Sequence, residues 1–328
     1  LKASQLPVLH VNDYTFAKPR ETLVDADRVW PGDGAAPWKS LFKTLDGMGA
    51  TPWLSIELFK PSYCQTTPRE TARTGVRKFA GLEKKNALQL GVQMWSVNDL
   101  WRQDPAGSLR KLRSIGYTGV QSLGFYSMDW NELEKMLDGE GLRIVDMPFK
   151  AEMVETPDGF SRFVEFCRRF RIDFVFEPWI GSKKLDKGSW QARVEKLAGF
   201  RAKFAAVGIR TGFHNHQIEL TTKFADGSCP LDLFEKAGVD FELDVGHVKL
   251  AGDDPVVWLQ RLAGRVPSIH AKPGGGRAVG DGDDANAWGL ILPEAAASGA
   301  KWAIVECETR RNTFDDVTES AVYLKGIL

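Results

Sequence analysis

The sequence of 328 residues lacks an excess of charge of either sign, because 43 Lys and Arg residues balance 43 Asp and Glu residues. Proteins that bind nucleic acid normally present a basic face, so this balance argues against a nucleic-acid partner. The sequence also lacks any apolar run near the roughly 20 residues that a membrane-spanning helix requires. We therefore expect neither nucleic acid nor a membrane among its partners.

Cysteine is scarce, and the four residues Cys64, Cys167, Cys229 and Cys307 form no CxxC pair. Widely spaced cysteines without a pairing pattern indicate reduced thiols, so we expect a cytoplasmic protein. The first residues contain no apolar segment of the kind that a signal peptide requires. The alternative is that the protein is exported and its leader is removed. The sequence does not begin with Met, which favours a natural N-terminus upstream of Leu1.

Histidine is also scarce, with five residues in the chain, so its placement is informative. Every one follows an apolar, strand-like segment; they are His10, His214, His216, His247 and His270. Glu306 ends a further segment of this kind. Polar side chains that gather at the carboxyl ends of parallel strands form the active sites of β/α barrels. The pattern therefore predicts a site built from several strand ends.

The segment from Phe241 to Leu250 carries the most specific of these signals. It begins as a buried strand, with apolar residues on both sides of one acid, and delivers Asp244 and His247 where the strand should end. Charged side chains are rarely buried unless they are paired or bind a metal, so the two residues are candidate ligands. The alternative is that Asp244 caps the next helix and that backbone groups satisfy His247.

From residue 88 onward, strand-like segments alternate regularly with helical ones. The predicted strands are 88–95, 118–123, 142–147, 174–179, 209–216, 241–245, 268–271 and 302–306. Eight strands that alternate with helices predict an α/β fold, a complete (β/α)8 TIM barrel over 86–328. Residues 1–85 contain two further strand segments, 6–11 and 52–59, and two helical segments, 37–45 and 68–82.

Residues 86–328 resemble the xylose isomerase-like TIM barrels, the sugar phosphate isomerase/epimerase family that includes tagatose 3-epimerase and inosose dehydratase. The matching motifs are His214-Asn-His-Gln-Ile-Glu219, Leu243-Asp-Val-Gly-His247, Ile269-His-Ala-Lys272, Gly280-Asp-Gly-Asp283 and Ile304-Val-Glu306. The resemblance implies one divalent metal ion, held by side chains from strands five to eight. Its ligands would be His214, Asp244, His270 and Glu306, with Glu219 able to supply a carboxylate beside His214.

Residues 1–85 resemble the last quarter of another such barrel, its strands seven and eight with their helices. The matching motifs are His10-Val-Asn-Asp13, Asp27-Arg-Val-Trp-Pro-Gly-Asp-Gly34 and Ser55-Ile-Glu-Leu-Phe59. This partial second copy implies a tandem arrangement. We expect His10 and Glu57 to lie close together at adjacent strand ends. Since two strands cannot close a barrel, we also expect an upstream barrel domain, another copy of the chain or the second barrel to cover this unit.

The resemblance further implies a metal-dependent isomerase or epimerase of a keto-sugar, which removes a proton next to a metal-bound carbonyl. A mixed oxygen and imidazole ligand set suits Mn²⁺, Co²⁺ or Mg²⁺. The candidate catalytic residues are Glu306, Glu219, Glu177 and His247, and the candidate substrate-binding residues are Trp95, Trp179, His216 and Lys272. Some of these residues have a structural role as the alternative. The aromatic residues would then belong to the core, Glu177 would be an ion-pair partner, and Lys272 would be a solvated side chain.

Three positions depart from the family pattern: Gln121 stands where related barrels often have Glu, Met147 where they have His, and Pro273 where they have Asp. These departures leave two alternatives to the isomerase. One is a metal-dependent lyase or dehydratase of a keto-sugar or inosose, which shares the proton abstraction. The other is a degenerate, non-catalytic barrel that serves as a partner domain.

Overall fold

The computed structural model describes every residue except 1, 15–17, 19, 35, 51, 84–87, 123, 179–184, 282–284 and 309–312. The chain divides into two compact units, Leu1–Lys85 and Asn86–Leu328. In the described part of the chain no helix is both long enough and apolar enough to cross a membrane.

The first unit contains two small sheets and two main helices. Strands β1 (Val8–His10) and β4 (Trp53–Ser55) pair in parallel, and β2 (Asp13–Tyr14) pairs antiparallel with β3 (Arg28–Val29). The helices are α1 (Trp38–Met48) and α2 (Pro68–Glu83).

His10 and Glu57 lie together at the ends of β1 and β4, as expected from the sequence. Nδ1 of His10 is 3.4 Å from Oε2 of Glu57, and Arg28 donates to the same oxygen at 2.9 Å. About half of each of the two side chains is exposed, 53% for His10 and 45% for Glu57. The identification of this unit as part of an upstream barrel stays a prediction.

A buried carboxylate organises the first unit. Asp13 is 1% exposed and accepts hydrogen bonds from the backbone N–H groups of Tyr14, Gly32 and Ala36, at 2.8–3.0 Å. It also accepts from the Trp38 indole at 2.9 Å, which ties the start of α1 to β2. Such bonds to an ionised acceptor are about twice as strong as bonds between neutral groups.

We expect Asp13→Asn to destabilise the first unit by about 2 kcal/mol or more, because the amide NH₂ would face an N–H donor in a buried site. Proteolysis of the full chain, followed by mass spectrometry, should show faster cleavage within 1–85 and unchanged protection of 86–328. Equal protection of 1–85 in the variant and the wild type would contradict this role of Asp13.

The second unit is a parallel β/α barrel. Its strands are β5 (Gln89–Gln93), β6 (Gly119–Gln121), β7 (Arg143–Ile144), β8 (Met147–Pro148), β9 (Phe174–Glu177), β10 (Arg210–His214), β11 (Asp240–Asp244), β12 (Ser268–Ala271) and β13 (Trp302–Val305). They form one sheet in the order β7-β6-β5-β13-β12-β11-β10-β9-β8. The sequence therefore predicted the TIM-barrel fold correctly.

The expected third strand, 142–147, is in fact two short strands. β7 pairs with β6 and β8 pairs with β9, and between them the Val145 N–H still donates to the Val120 carbonyl at 3.0 Å. The sheet thus has nine strands where eight were predicted. Asp146 is fully buried at this break, and its side chain bonds to Gln121 of β6 and to Ser268 of β12.

Helices cover the barrel strands. They are α3 (Asn98–Gln103), α4 (Pro105–Ile115), α5 (Trp130–Glu140), α6 (Ala151–Val154), α7 (Pro157–Arg169), α8 (Lys187–Ala205), α9 (Ile218–Thr221), α10 (Pro230–Lys236), α11 (Val245–Leu250), α12 (Pro255–Arg261), α13 (Ala285–Ala297) and α14 (Asp315–Ile327). Asp104, Asp129 and Asp186 cap α4, α5 and α8 by accepting backbone N–H bonds. The sequence predicted helices between the strands, but it did not single out the short helices α3, α6, α9 and α10.

Helix α11 packs directly on strand β12 because Gly246 has no side chain. A Cβ at this position would lie 2.7 Å from Cβ and 2.8 Å from the backbone oxygen of Lys272. A backbone oxygen cannot move aside as the end of a flexible side chain can. The glycine therefore sets the distance between the end of β11 and the end of β12.

We expect Gly246→Ala to destabilise the protein by about 1–3 kcal/mol, the usual cost of overpacking. Gly199→Ala is the matched control, since Gly199 lies inside α8 and a methyl group at this position would meet no atom within 4 Å. That change should stabilise by about 0.5–1 kcal/mol. Chemical denaturation of both variants checks the pair, and equal shifts would show that the Lys272 contact does not constrain the packing.

Candidate active site

The carboxyl ends of three adjacent strands bring Asp244, His270 and Glu306 together. Asp244 and His270 are register partners on β11 and β12, and Glu306 follows β13. Nδ1 of His270 lies 3.7 Å from Oδ2 of Asp244 and 3.2 Å from Oε2 of Glu306. Two ligands bound at right angles about 2.1 Å from one ion are about 3 Å apart, so these spacings suit a shared metal ion.

Asp244 combines the two roles that the sequence left as alternatives. Its Oδ1 accepts the backbone N–H of His247 at 2.8 Å and so caps α11. Asn215, which sequence reasoning did not single out, donates to the Asp244 carbonyl at 3.2 Å and accepts its N–H at 2.9 Å. The cap and this backbone clamp hold the second oxygen, Oδ2, toward the centre of the site.

Oδ2 of Asp244 is fully buried and has no hydrogen-bond partner in the described part of the chain. Four nitrogens surround it just beyond hydrogen-bonding distance: His270 Nδ1 at 3.7 Å, Lys272 Nζ at 3.8 Å, His247 Nε2 at 3.9 Å and His214 Nε2 at 4.0 Å. A buried carboxylate oxygen without a bond is costly. Its position fits a divalent ion that binds Asp244, His270 and Glu306.

The charges at Asp244 keep it ionised. Burial by itself would raise the pKa of the carboxyl, but His247 and Lys272 hold that pKa well below its ordinary value. The Glu306 carboxyl behaves in the same way, because His270 and Lys272 lower its pKa against the effect of burial. Both groups are thus in the form that a metal ion requires.

A second, deeper layer of polar groups lies beneath these residues, centred on Glu242. Its Oε2 is 3.0 Å from Nδ1 of His214 and its Oε1 is 3.3 Å from Nε2 of His270. Burial opposes its charge, yet His270 and His214 lower the pKa of Glu242 to about 2. Glu242 was not identified from the sequence, although its spacing of two residues from Asp244 on one strand was a usable signal.

Gln121 connects this layer to the opposite side of the barrel. Its amide nitrogen donates to Glu242 and, at 2.8 Å, to Asp146, whose second oxygen accepts from Ser268 at 2.8 Å. Its amide oxygen is 2.9 Å from Nε2 of His270. Gln121 is therefore part of the site, even though it departs from the family pattern.

Two groups of residues in the described chain could hold a metal: Asp244 with His270 and Glu306, and His214 with Glu242 and His270. The second group needs a lone pair on Nε2 of His270, but that nitrogen contacts two oxygen atoms, from Gln121 and Glu242. Nδ1 of His270 instead faces Asp244 and Glu306, the other members of the first group. The first group is therefore the better metal site.

Lys272 is buried in the site, contrary to the alternative that it is solvated. Its ammonium contacts Nε2 of His247 at 3.0 Å, Oε2 of Glu306 at 3.4 Å and Oε1 of Glu308 at 2.5 Å. Burial disfavours this charge, but Asp244 and Glu306 raise the pKa of Lys272 above its ordinary value. The Lys272 ammonium thus stands beside the carboxylates of Asp244 and Glu306. Burial likewise disfavours the charge of His270, but Glu242 and Glu306 raise its pKa.

Glu219 is placed differently from the expected ligands. It is buried on α9, outside both candidate metal groups, and its Oε2 accepts the backbone N–H of His216 at 2.7 Å. Burial raises its pKa to about 7. His216 lies between the other imidazoles, with ring centroids 4.8 Å from His214 and 4.7 Å from His247.

The remaining predicted residues lie at the rim or outside the described chain. Glu177 ends β9 and pairs with Arg193 of α8 at 3.1 Å, and burial raises its pKa. Trp95 is half-buried in a 3₁₀ turn after β5, where a strand had been expected. Trp179 lies outside the described residues.

Comparison with known proteins agrees with this architecture. No protein-family model matches the sequence. The rhizopine catabolism protein MocC of Rhizobium meliloti is 26% identical over 250 residues, covering 64% of this chain and 76% of that protein. The inosose isomerase of Bacillus licheniformis is 40% identical over 67 residues, covering 20% of this chain but only 24% of the isomerase.

Among solved structures, a sugar phosphate isomerase/epimerase from Parabacteroides distasonis is 24% identical, with a TM-score of 0.61. The match covers 72% of this chain and 93% of that one. The chain therefore has the fold of the xylose isomerase-like TIM barrels, and its relatives include sugar isomerases and epimerases.

We expect Asp244→Asn and Glu306→Gln each to weaken Mn²⁺ binding by more than the 10- to 100-fold that loss of an outer-sphere partner typically costs. Asn is as good a helix cap as Asp, so D244N should keep the fold, whereas Asp244→Ala should also lose about 1 kcal/mol of stability. Isothermal titration and thermal unfolding separate the two effects. Native Mn²⁺ affinity in either charge-neutral variant would remove that residue from the ligand set.

Proposed function

We propose that this protein is a divalent-metal-dependent isomerase or epimerase that acts on a keto-sugar or a sugar derivative by moving a proton next to the carbonyl group. The observation that carries the proposal is the buried, unbonded Oδ2 of Asp244. It converges with His270 and Glu306 at the carboxyl ends of the barrel strands. That end of a TIM barrel is where active sites are built.

Asp244, His270 and Glu306 would hold the ion, with Nε2 of His214 as the fourth ligand. A divalent ion such as Mn²⁺, Co²⁺ or Mg²⁺ supplies Lewis acidity to a substrate oxygen when it is bound. The solved relative and the inosose isomerase support a sugar-like substrate, since their names describe sugar phosphates and an inosose.

Among the carboxylates near the site, Glu219 has the protonation behaviour that proton transfer at neutral pH requires. Burial raises its pKa to about 7, and its Oε1 has no hydrogen-bond partner among the described residues. A group with a pKa near the working pH can both accept and return a proton. Glu306 and His247 are the other candidates, and both lie against Lys272.

Lys272 would bind a substrate oxygen. Its buried ammonium faces the centre of the site and already contacts three acceptors, so it can exchange one of them for a hydroxyl or carbonyl oxygen. His216 and Trp95 would line the sugar. We also propose that the barrel has a small molecule as its only partner. For the first unit, we propose that a second copy of the chain or an upstream barrel domain covers it.

Loss of a β-oxygen after the same proton abstraction would make the protein a lyase or dehydratase, and the product distinguishes the reactions. We expect the metal-replete protein, incubated in D₂O with keto-sugars and inososes, to incorporate deuterium at the carbon beside the carbonyl. NMR would then show an epimer or isomer for the proposed activity and an unsaturated product for elimination.

Glu219→Gln should slow deuterium incorporation at unchanged Mn²⁺ affinity, because it removes the proton carrier and leaves the ligands. Chelation by EDTA should abolish incorporation, and added Mn²⁺ should restore it. A metal-replete wild-type protein that exchanges no proton on any of these substrates would refute the proposal and favour a non-catalytic barrel.

A further inference from the structure

We propose that Glu242 is a positioning residue for the metal site. Glu242 contacts His214 and His270 and has Gln121 as its partner. Through these contacts it selects which imidazole nitrogen each histidine presents to the metal. The inference rests on the metal site proposed above. It concerns Gln121 on β6 and Glu242 on β11, which are not themselves ligands in that site.

The position of Glu242 follows from strand alternation. Glu242 and Asp244 are two residues apart on β11, so both side chains point into the barrel, one layer below the other. Glu242 is fully buried. Its two oxygens lie 3.0 Å from Nδ1 of His214 and 3.3 Å from Nε2 of His270, one oxygen for each ring.

The hydrogen bonds of Gln121 fix the orientation of the His270 ring. The Gln121 amide nitrogen faces Glu242 and Asp146, and a carboxylate can accept these bonds. Its amide oxygen therefore faces Gln93, which donates to it, and Nε2 of His270 at 2.9 Å. Because Nε2 contacts only oxygen acceptors, it carries a proton. Nδ1 faces the carboxylates of Asp244 and Glu306, so a metal ion bound there would take the place of a proton on Nδ1 and leave the proton on Nε2.

His214 follows the same logic. The Glu242 oxygen lies 3.0 Å from Nδ1 without forming a hydrogen bond to it, and its negative charge favours a proton on that nitrogen. Nε2 then keeps its lone pair on the side of Asp244, 4.0 Å away. A carboxylate behind a ligand histidine fixes its tautomer and strengthens it as a ligand. Here one carboxylate does so for two ligands from different strands.

A rival explanation is that Glu242, His214 and His270 hold a second ion, since their ligand atoms lie within 4.8 Å of one another. That arrangement would need Nε2 of His270 as a ligand instead of as the donor to Gln121. The two explanations predict different metal stoichiometries: one ion per barrel if Glu242 positions the histidines, and two if it is a ligand.

The test compares Glu242→Gln, Gln121→Glu and the double variant Q121E/E242Q in the full chain. Mn²⁺ affinity and stoichiometry are measured by titration monitored by EPR. Histidine tautomers are measured by ¹⁵N NMR, both without metal and with Zn²⁺ as a diamagnetic probe. Glu177→Gln is the matched control, since it neutralises a partly buried carboxylate on β9 that pairs with Arg193.

We expect E242Q to keep the fold and to weaken Mn²⁺ binding about 10- to 100-fold, the usual effect of losing such a partner. Its ¹⁵N spectrum should show a changed proton position on His214, on His270 or on both, whereas E177Q should leave both rings unchanged. Q121E should lower the melting temperature, because it adds a charge beside Glu242 and Asp146. The double variant should restore the His270 tautomer, through the contact between residue 121 and Nε2, but not that of His214.

Wild-type affinity and wild-type tautomers in E242Q would overturn the inference, as would a fall from two bound ions to one. If the wild type binds no metal, the proposed function fails, but the metal-free spectra still decide the inference. An altered tautomer of His214 in metal-free E242Q then supports it, and an unaltered one overturns it.

Discussion

The barrel mouth depends on one constraint: buried carboxylates must be compensated, because the interior solvates charge poorly. Glu242, Asp244 and Glu306 are each held in the ionised form by imidazoles or by the Lys272 ammonium. Removing one partner would leave a charge uncompensated. The site is therefore a single electrostatic unit, in which no residue can be considered apart from its neighbours.

The same constraint arranges the site in two layers. The upper layer contains the expected ligands and faces the mouth, while the lower layer of Glu242, Gln121 and Asp146 occupies the barrel interior. The break in the third strand lies in this layer, where the Asp146 side chain bonds to Gln121 and Ser268. Gln121 illustrates the point best. A position that departs from the family pattern is here the amide that joins Asp146 and Glu242 to His270.

Asp244 shows why structural and functional roles need not compete. Helix capping uses one oxygen and leaves the other oriented into the site, and Asn215 holds the backbone between them. The close approach of Gly246 to Lys272 then sets the spacing between this strand end and the next. The geometry of the site is thus a consequence of how a strand ends and a helix begins.

The sequence by itself determined the alternation of strands and helices, and with it the barrel and the positions of Asp244, His270 and Glu306 at strand ends. These features are local, since periodicity and helix caps depend on nearby residues. Short helices such as α9 and α10 escaped prediction because tertiary packing stabilises them more than their own sequence does.

Only the tertiary structure decided the contacts between distant strands. Gln121 meets Glu242 across 121 residues and His270 across 149, and such pairs follow from the closure and register of the barrel. Closure also decided that Lys272 is buried and that Glu219 lies apart from the ligands. No local pattern encodes these outcomes, because each depends on which side chains the closed sheet places on its inner face.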